Sequence, residues 1–288
     1  MPAEPWLVLN VRIRSDEPQH AVAELLVALG ATAVQVEGDT LTTYFRSPSD
    51  PQAFIESADR QLAAVAGVEA RAAWSWRREA DQDWTREWRR GLRPRRIGRF
   101  VVTPSWCAGE AEPAEHTIVV DPEMAFGTGE HATTRGALRL LGESLRPGDD
   151  VLDIGTGSGI LAIGAAMLGA RSVLAVESDA DALENAQDNL RRNGVAERVQ
   201  LVHALVDPPF LQRAGAGAFD LVVANVLAGV LRPLLVPFGE ALAPGGRLIL
   251  GGILEQEAEE MLDAARATGL ALRVEDVEDE WWGARLTR

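Results

Sequence analysis

The chain has 288 residues, a formal net charge of −15 and a makeup of 47% apolar and 25% charged residues, the profile of a globular protein with material for one large domain or two modest ones. No apolar run is long enough to span a bilayer and the acidic start MPAEPW lacks the basic stretch of a secretory leader, so a cytoplasmic setting is expected. The acidic balance argues against holding nucleic acid through the overall field and suits a basic protein partner, while the single Cys107 excludes an internal disulfide and any multi-cysteine metal site.

In chain order, WLVLNVRI (6–13) reads as a strand, and PQHAVAELLVALG (18–30) has helical spacing with Pro18 near its start and Gly30 at its end. AVQVEG and LTTYF flank Gly38-Asp39 and suggest a hairpin. DPQAFIESADRQLAAVAG is a second helix ending at Gly67, and VEARAAWSW a further strand. This β-α-β-β-α-β order predicts a small ferredoxin-like α+β domain over residues 1–76. Residues 77–98, with Trp84 and Trp88 one helical turn apart amid arginines, are expected to form a linker helix whose Trp pair docks on a domain.

From residue 99 onward strand and helix alternate. Apolar strand cores lie at 151–155, 172–177, 199–203, 219–225 and 246–252, with helices expected over 160–168, 180–193, 226–242 and 256–268. Continuous apolar strands separated by helices imply a parallel sheet covered on both faces. The tail LALRVEDVEDEWWGARLTR carries no helix between its two strand-like halves, so the last strand is expected to run antiparallel. That ending marks the methyltransferase variant of the Rossmann-like fold. The fold class expected over 99–288 is therefore α/β.

The stretch LDIGTGSG ends a strand at Asp153 and turns on Gly155, Gly157 and Gly159 before a helix. Ile160 stands where a dinucleotide fingerprint is out of register, and no phosphate-loop Gly-Lys-Ser/Thr occurs. Gly-x-Gly-x-Gly preceded by an acid instead resembles the cofactor turn of S-adenosylmethionine enzymes. Glu177 closes the next strand, 22 positions after Gly155, where such folds place the carboxylate that takes both ribose hydroxyls. Asn225 ends FDLVVAN and is expected to face the cleft near the reactive methyl. It resembles the Asn of the Asn-Pro-Pro-aromatic motif of amine-directed methyltransferases, with Val226 in place of the first Pro. After the third strand, His203 and Ala204 replace the usual acid, which leaves the adenine contact to backbone groups near Ala204 and Leu205.

An earlier glycine loop, DPEMAFGTGEHATT (121–134), leads into a helix expected over 135–141, with a Thr of the Thr133-Thr134 pair as its cap. Together with DWTREWRRGLRPRRIGRFVVTPSW, LDIGTGSGILAI and ANVLAGVL, this loop resembles the ribosomal protein L11 methyltransferase family (PrmA). Glu123, where the family usually has Gly, and Ala132, often Pro, are the departures. The resemblance implies that S-adenosylmethionine is bound by Thr134, Gly155, Gly157, Glu177 and Asn225, with Phe126 shielding it and no metal. It further implies Asn225 as the catalytic residue and ribosomal protein L11 as the substrate, methylated on lysine amines and the N-terminal α-amine. Residues 1–76 would recognise that substrate. A monomer is expected that engages neither a membrane nor a specific nucleic-acid sequence. The alternative is a protein lysine methyltransferase with another target, such as the electron-transfer flavoprotein β subunit.

Overall fold

The structure, a computed structural model, describes residues 6–12, 22, 25–26, 29–31, 33–37, 40–48, 50–66, 74–79, 92–121 and 127–288. The chain divides into two units, Met1–Leu92 and Arg93–Arg288.

In the first unit, strands β1 (Trp6–Arg12), β2 (Ala33–Glu37), β3 (Thr40–Arg46) and β4 (Trp74–Glu79) form a sheet of order β2-β3-β1-β4. Every neighbouring pair is antiparallel, as a ferredoxin-like unit requires. Val22, Leu25 and Leu26 are helical, Leu29 and Gly30 form a turn, and the remaining positions of that expected helix lie outside the described residues. Alternate residues of β1, Leu7, Leu9 and Val11, meet Val22, Leu26, Phe45 and Leu62 in one core. Helix α1 (Pro51–Ala66) is tied to β4 by Asp59, whose Oδ1 accepts the indole N–H groups of Trp74 and Trp76 at 2.9 and 2.8 Å.

At neither end of the linker helix expected over 77–98 are the described residues helical. Residues 77–79 continue β4, and β5 (Arg95–Ile97) already belongs to a sheet of the second unit. Trp84 and Trp88 lie outside the described residues. β5 joins β6 (Phe100–Thr103) and β7 (His116–Val119) in a separate three-stranded sheet.

The large sheet of the second unit contains β8 (Asp150–Ile154), β9 (Ser172–Glu177), β10 (Val199–His203), β11 (Phe219–Asn225), β12 (Leu242–Leu254), β13 (Ala271–Glu278) and β14 (Trp281–Thr287). Its order is β10-β9-β8-β11-β12-β14-β13. The pairs from β10 to β12 are parallel and β14 runs antiparallel to both β12 and β13, the expected ending. The central strands are largely apolar because each face has its own core. Val151, Leu221, Val223 and Ile249 enter one, and Leu152, Val222, Ala224 and Leu248 the other.

The helices α2 (Ala132–Ser144), α3 (Ile160–Met167), α4 (Ala180–Arg192), α5 (Pro208–Ala214), α6 (Ala228–Leu231), α7 (Leu235–Ala241) and α8 (Ala258–Ala267) complete the unit. The helix expected over 226–242 is interrupted by a 3-10 turn at Arg232–Leu234, since Pro233 cannot supply an interior N–H. α5 was not anticipated. Asp207 caps it by accepting Phe210 N–H at 2.7 Å, and Pro208 sits at its first position. At the sheet end away from the glycine turns, the buried Arg247 pairs with Asp149 Oδ1 at 2.9 Å and donates to Ser144 O and Asp220 O at 2.6 and 3.1 Å.

Candidate active site

Strand order reverses direction at β8, which has β9 on one side and β11 on the other. Open α/β sheets bind ligands outside the carboxyl ends of their strands at such a point. The residues delivered there are Gly155 after β8, Glu177 on β9, His203 on β10 and Asn225 on β11.

After β8, the N–H groups of Gly155 and Thr156 bond to Val176 O at 2.9 and 3.1 Å and pin the turn to β9. Gly155, Gly157 and Gly159 have φ of 65°, 53° and 84°, values that an L side chain disfavours. α3 then begins directly after the turn, with Gly159 as its N-cap. Glu177 lies against the same turn. Its Oε2 accepts Gly157 N–H at 2.9 Å, and its Oε1 accepts Ser178 and Asp179 N–H at 2.8 and 3.1 Å. Ser178 Oγ adds a contact to Oε1 at 3.4 Å, so Glu177 is oriented by the protein mainly through Oε1, and Oε2, with a single donor, keeps capacity for a ligand hydroxyl.

Asp153 is fully buried, with Oδ2 accepting from Thr156 Oγ1 at 2.6 Å and Oδ1 without a partner. Burial pushes its carboxyl up to about 7; the Thr156 hydroxyl and then the Ala162 backbone N–H oppose the rise, and the charge of Glu177 adds to it.

The two glycine turns touch. Ser158 Oγ donates to Gly127 O at 2.6 Å, and a β-carbon on Gly127 would stand 2.9 Å from that hydroxyl. Side-chain amides one helical turn apart hold the approach to the first loop. Asn193 donates to Val119 O at 2.7 Å and accepts from Val119 N–H at 2.8 Å; Asn189 accepts Asp121 N–H and Asn185 donates to Asp121 O, each at 3.1 Å. Asn189 Nδ2 also donates to Ser158 O at 3.0 Å, so one side chain joins both turns. Phe126 lies outside the described residues, as do 122–125.

α2 starts at Ala132 and its N-cap is His131, which corrects the expectation of a threonine cap. His131 Nδ1 accepts Thr133 N–H at 3.4 Å and lies 2.8 Å from Thr133 Oγ1, because the ring nitrogen already supplies the acceptor that the helix start needs. Both threonines consequently fall inside the first turn. Thr134 is fully buried and its Oγ1 has no partner. The His131 ring meets Trp281 edge-on, with centroids 4.9 Å apart. A small cavity bordered by Thr133, Gly251 and Trp281 places the start of α2 beside the end of β12.

Asn225 pairs with Gly251 in the β11–β12 register, and its Oδ1 is a third buried acceptor without a partner. Beyond it, Leu227 is 67% exposed and Val230 48%, an apolar rim next to the strand end. Just after β10, Ala204 N–H is committed to Glu177 O at 2.9 Å, so this one of the backbone groups expected near the adenine is already paired, and His203 Nε2 lies 3.0 Å from Ser178 O. Among the described residues no group of three His, Cys, Asp or Glu is disposed to hold a metal ion, and no helix is long and apolar enough to cross a membrane.

Gly157 thus touches Glu177 directly and Gly155 bonds to the preceding Val176, with Thr134 and Asn225 on flanking elements. Sequence reasoning missed Ser158, the asparagine tethers and Gly251. The spacing of four between Asn185, Asn189 and Asn193 was a readable sign of one helix face, whereas nothing local pointed to the other two.

The chain matches the family model for ribosomal protein L11 methyltransferase (PrmA) over residues 5–288. It is 38% identical to a ribosomal protein L11 methyltransferase of Pelotomaculum thermopropionicum, with 96% of each chain covered. It is 44% identical to one of Thermus thermophilus over 72% of this chain and 78% of that one. Its backbone is similar to the crystal structure of a ribosomal protein L11 methylase from Lactobacillus delbrueckii subsp. bulgaricus, with a TM-score of 0.59 and 29% identity, over 67% of this chain and 96% of that chain. A sheet with this strand order, the paired glycine turns and a match along nearly the whole length place the chain in the PrmA family of ribosomal protein L11 methyltransferases.

Proposed function

We propose that the chain methylates ribosomal protein L11 on lysine side-chain amines and the N-terminal α-amine, with S-adenosylmethionine as donor and residues 1–76 recognising the substrate. The observation that carries this reading is the set of buried acceptors without protein partners, Thr134 Oγ1, Asp153 Oδ1 and Asn225 Oδ1, around a glycine turn at the switch point of the sheet. Buried polar atoms are rarely left unpaired, so such a cluster fits a ligand rich in N–H and O–H groups. The names of the relatives favour the ribosomal protein over the electron-transfer flavoprotein.

When bound, S-adenosylmethionine supplies an electrophilic methyl group on a sulfonium sulfur. Glu177, already oriented by its three amide donors, would accept the ribose hydroxyls. Gly155 and Gly157 allow the backbone to approach the ligand closely, and Thr134 and Asp153 accept hydrogen bonds from it. Asn225 holds the acceptor amine in line by accepting one of its N–H groups. A lysine ammonium has an ordinary pKa of about 10.4 and must lose a proton before attack. Transfer from water to the apolar rim of Leu227 and Val230 lowers that value, which removes the need for a dedicated base. His131 fits no such role, since its Nδ1 is taken up in capping α2.

The test is methyl transfer from labelled cofactor to purified ribosomal protein L11, with the modified positions located by mass spectrometry. The enzyme chain contains no lysine, so methyl-lysine in the mixture reports on the substrate alone. Absence of label on the ribosomal protein would remove the substrate assignment and leave the family unaffected.

A further inference from the structure

Asn225 and Val226 leave β11 surrounded by glycines from two other strands. A β-carbon on Gly251 would stand 2.8 Å from Asn225 Oδ1, 3.5 Å from its Cγ and 3.7 Å from its Cβ. The amide oxygen therefore fills the space that a side chain at 251 would need. Gly252 has φ of 76°, and a β-carbon there would fall 2.6 Å from Val226 O and 2.8 Å from Val226 C. From the other side, a β-carbon on Gly155 would fall 2.6 Å from Val226 Cγ1. The β12–β14 register shifts between Leu250 and Ile253, so Gly251 and Gly252 form the irregularity through which β12 passes the dipeptide.

These glycines are not equivalent. Gly155 and Gly252 sit in the left-handed region and would resist substitution for torsional reasons alone. Gly251 does not, and its backbone suits alanine. What excludes a side chain there is the amide oxygen of Asn225, a buried acceptor with no protein partner.

We infer that Gly251 is a positioning residue for the reaction: it reserves the space in which the Asn225 carboxamide is held, so that Oδ1 stays buried and available to an N–H donor of the ligand. This rests on the reading of Asn225 as the amine-binding group. Gly252 and Gly155 hold the following peptide in the same way. A proline after Asn225 would restrict that peptide through its own ring. Val226 has no ring, and the glycine cradle supplies the restraint from outside.

The test is a double-mutant cycle between positions 251 and 225, read in turnover and in melting temperature. Gly251→Ala in the otherwise native chain should lower kcat for ribosomal protein L11 by about tenfold to hundredfold, with KM for that substrate nearly unchanged. In an Asn225→Ala background the same substitution should change kcat by less than about twofold, because no carboxamide is left there to displace. The melting temperature should follow the same pattern, falling on Gly251→Ala only where Asn225 is present.

Equal losses in both backgrounds would mean that Gly251 serves the sheet alone and would overturn the inference, as would an unchanged kcat in Gly251→Ala. If Gly251→Ala does not fold, recovery of cooperative melting in the double variant supports the inference and an equally unfolded double variant overturns it. Full activity of Asn225→Ala would instead remove the role of Asn225, and with it the catalytic half of the inference; the melts would still report the steric coupling.

Discussion

Glu177 and Asn225 end the strands on either side of β8, yet the protein around them treats their side chains in opposite ways. Glu177 accepts three backbone N–H groups, one of them from the glycine turn itself. Asn225 presents a buried oxygen with no donor at all, held against Gly251. An acceptor already satisfied is fixed in place at little cost whether or not a ligand is present. A buried acceptor left unpaired costs roughly 1–3 kcal/mol, which a ligand N–H recovers on arrival. One end of the site is thus built for holding and the other for reacting, and substitutions at the two ends should separate affinity from turnover.

The largest effect should come from the reacting end. Asn225→Ala is expected to reduce methyl transfer by about a hundredfold or more, the scale seen when a preorganised polar group at a reaction centre is removed. Labelled transfer under saturating cofactor measures it, and a loss confined to cofactor KM would erase the distinction between the ends.

At the holding end, Glu177→Ala should weaken cofactor binding by about tenfold to a hundredfold in calorimetry, from loss of hydrogen bonds to a charged group worth roughly 1.5–3 kcal/mol. Turnover at saturation should fall much less. The same substitution also frees Gly157 N–H, so the turn itself should loosen.

Asp153 lies between the two ends and sharpens the comparison through pH. Its carboxyl stays protonated in the folded protein up to about pH 7, whereas the unfolded chain releases that proton near the ordinary value of about 3.9. The folded state holds the extra proton across this window. Stability of the ligand-free protein should therefore decline as pH rises from about 4 to about 7, by up to about 1.4 kcal/mol per unit. Denaturant midpoints at several pH values, compared with those of Asp153→Asn, isolate the contribution, and identical pH profiles would refute it.

The smallest effect is expected at His131. His131→Ala should cost about 1 kcal/mol of stability as a lost helix cap, with His131→Asn restoring most of it. Loss of turnover with unchanged melting temperature would instead give this histidine a part in the chemistry.

What could be read in the residues follows the range of the forces involved. Strand cores such as VLDIG and FDLVVAN announce themselves because a sheet buried on both faces needs apolar residues without interruption. The glycines at 155, 157 and 159 were legible for a local reason, since only glycine tolerates such a turn cheaply. The threonine cap was misread because an imidazole nitrogen two residues before Thr133 accepts the Thr133 N–H and starts the helix earlier. Gly251 escaped notice since a glycine in a strand carries no sign of the neighbour it makes room for, and here that neighbour lies 26 positions away. The helix break at Pro233 was available in the sequence and lost to a run of apolar spacing.

Asn185, Asn189 and Asn193 fasten the start of the first loop with uncharged groups, joined by a single ion pair from Arg192 to Asp121 at 3.1 Å. In a chain of net charge −15, ion pairs at the surface respond to every change in dissolved electrolyte, because mobile ions screen exposed charges beyond about 8 Å at physiological ionic strength. An amide has no net charge to screen. The seat of the loop is thereby insulated from the ionic atmosphere that an acidic protein gathers. Most of its geometry should persist unaltered from dilute buffer to concentrated salt.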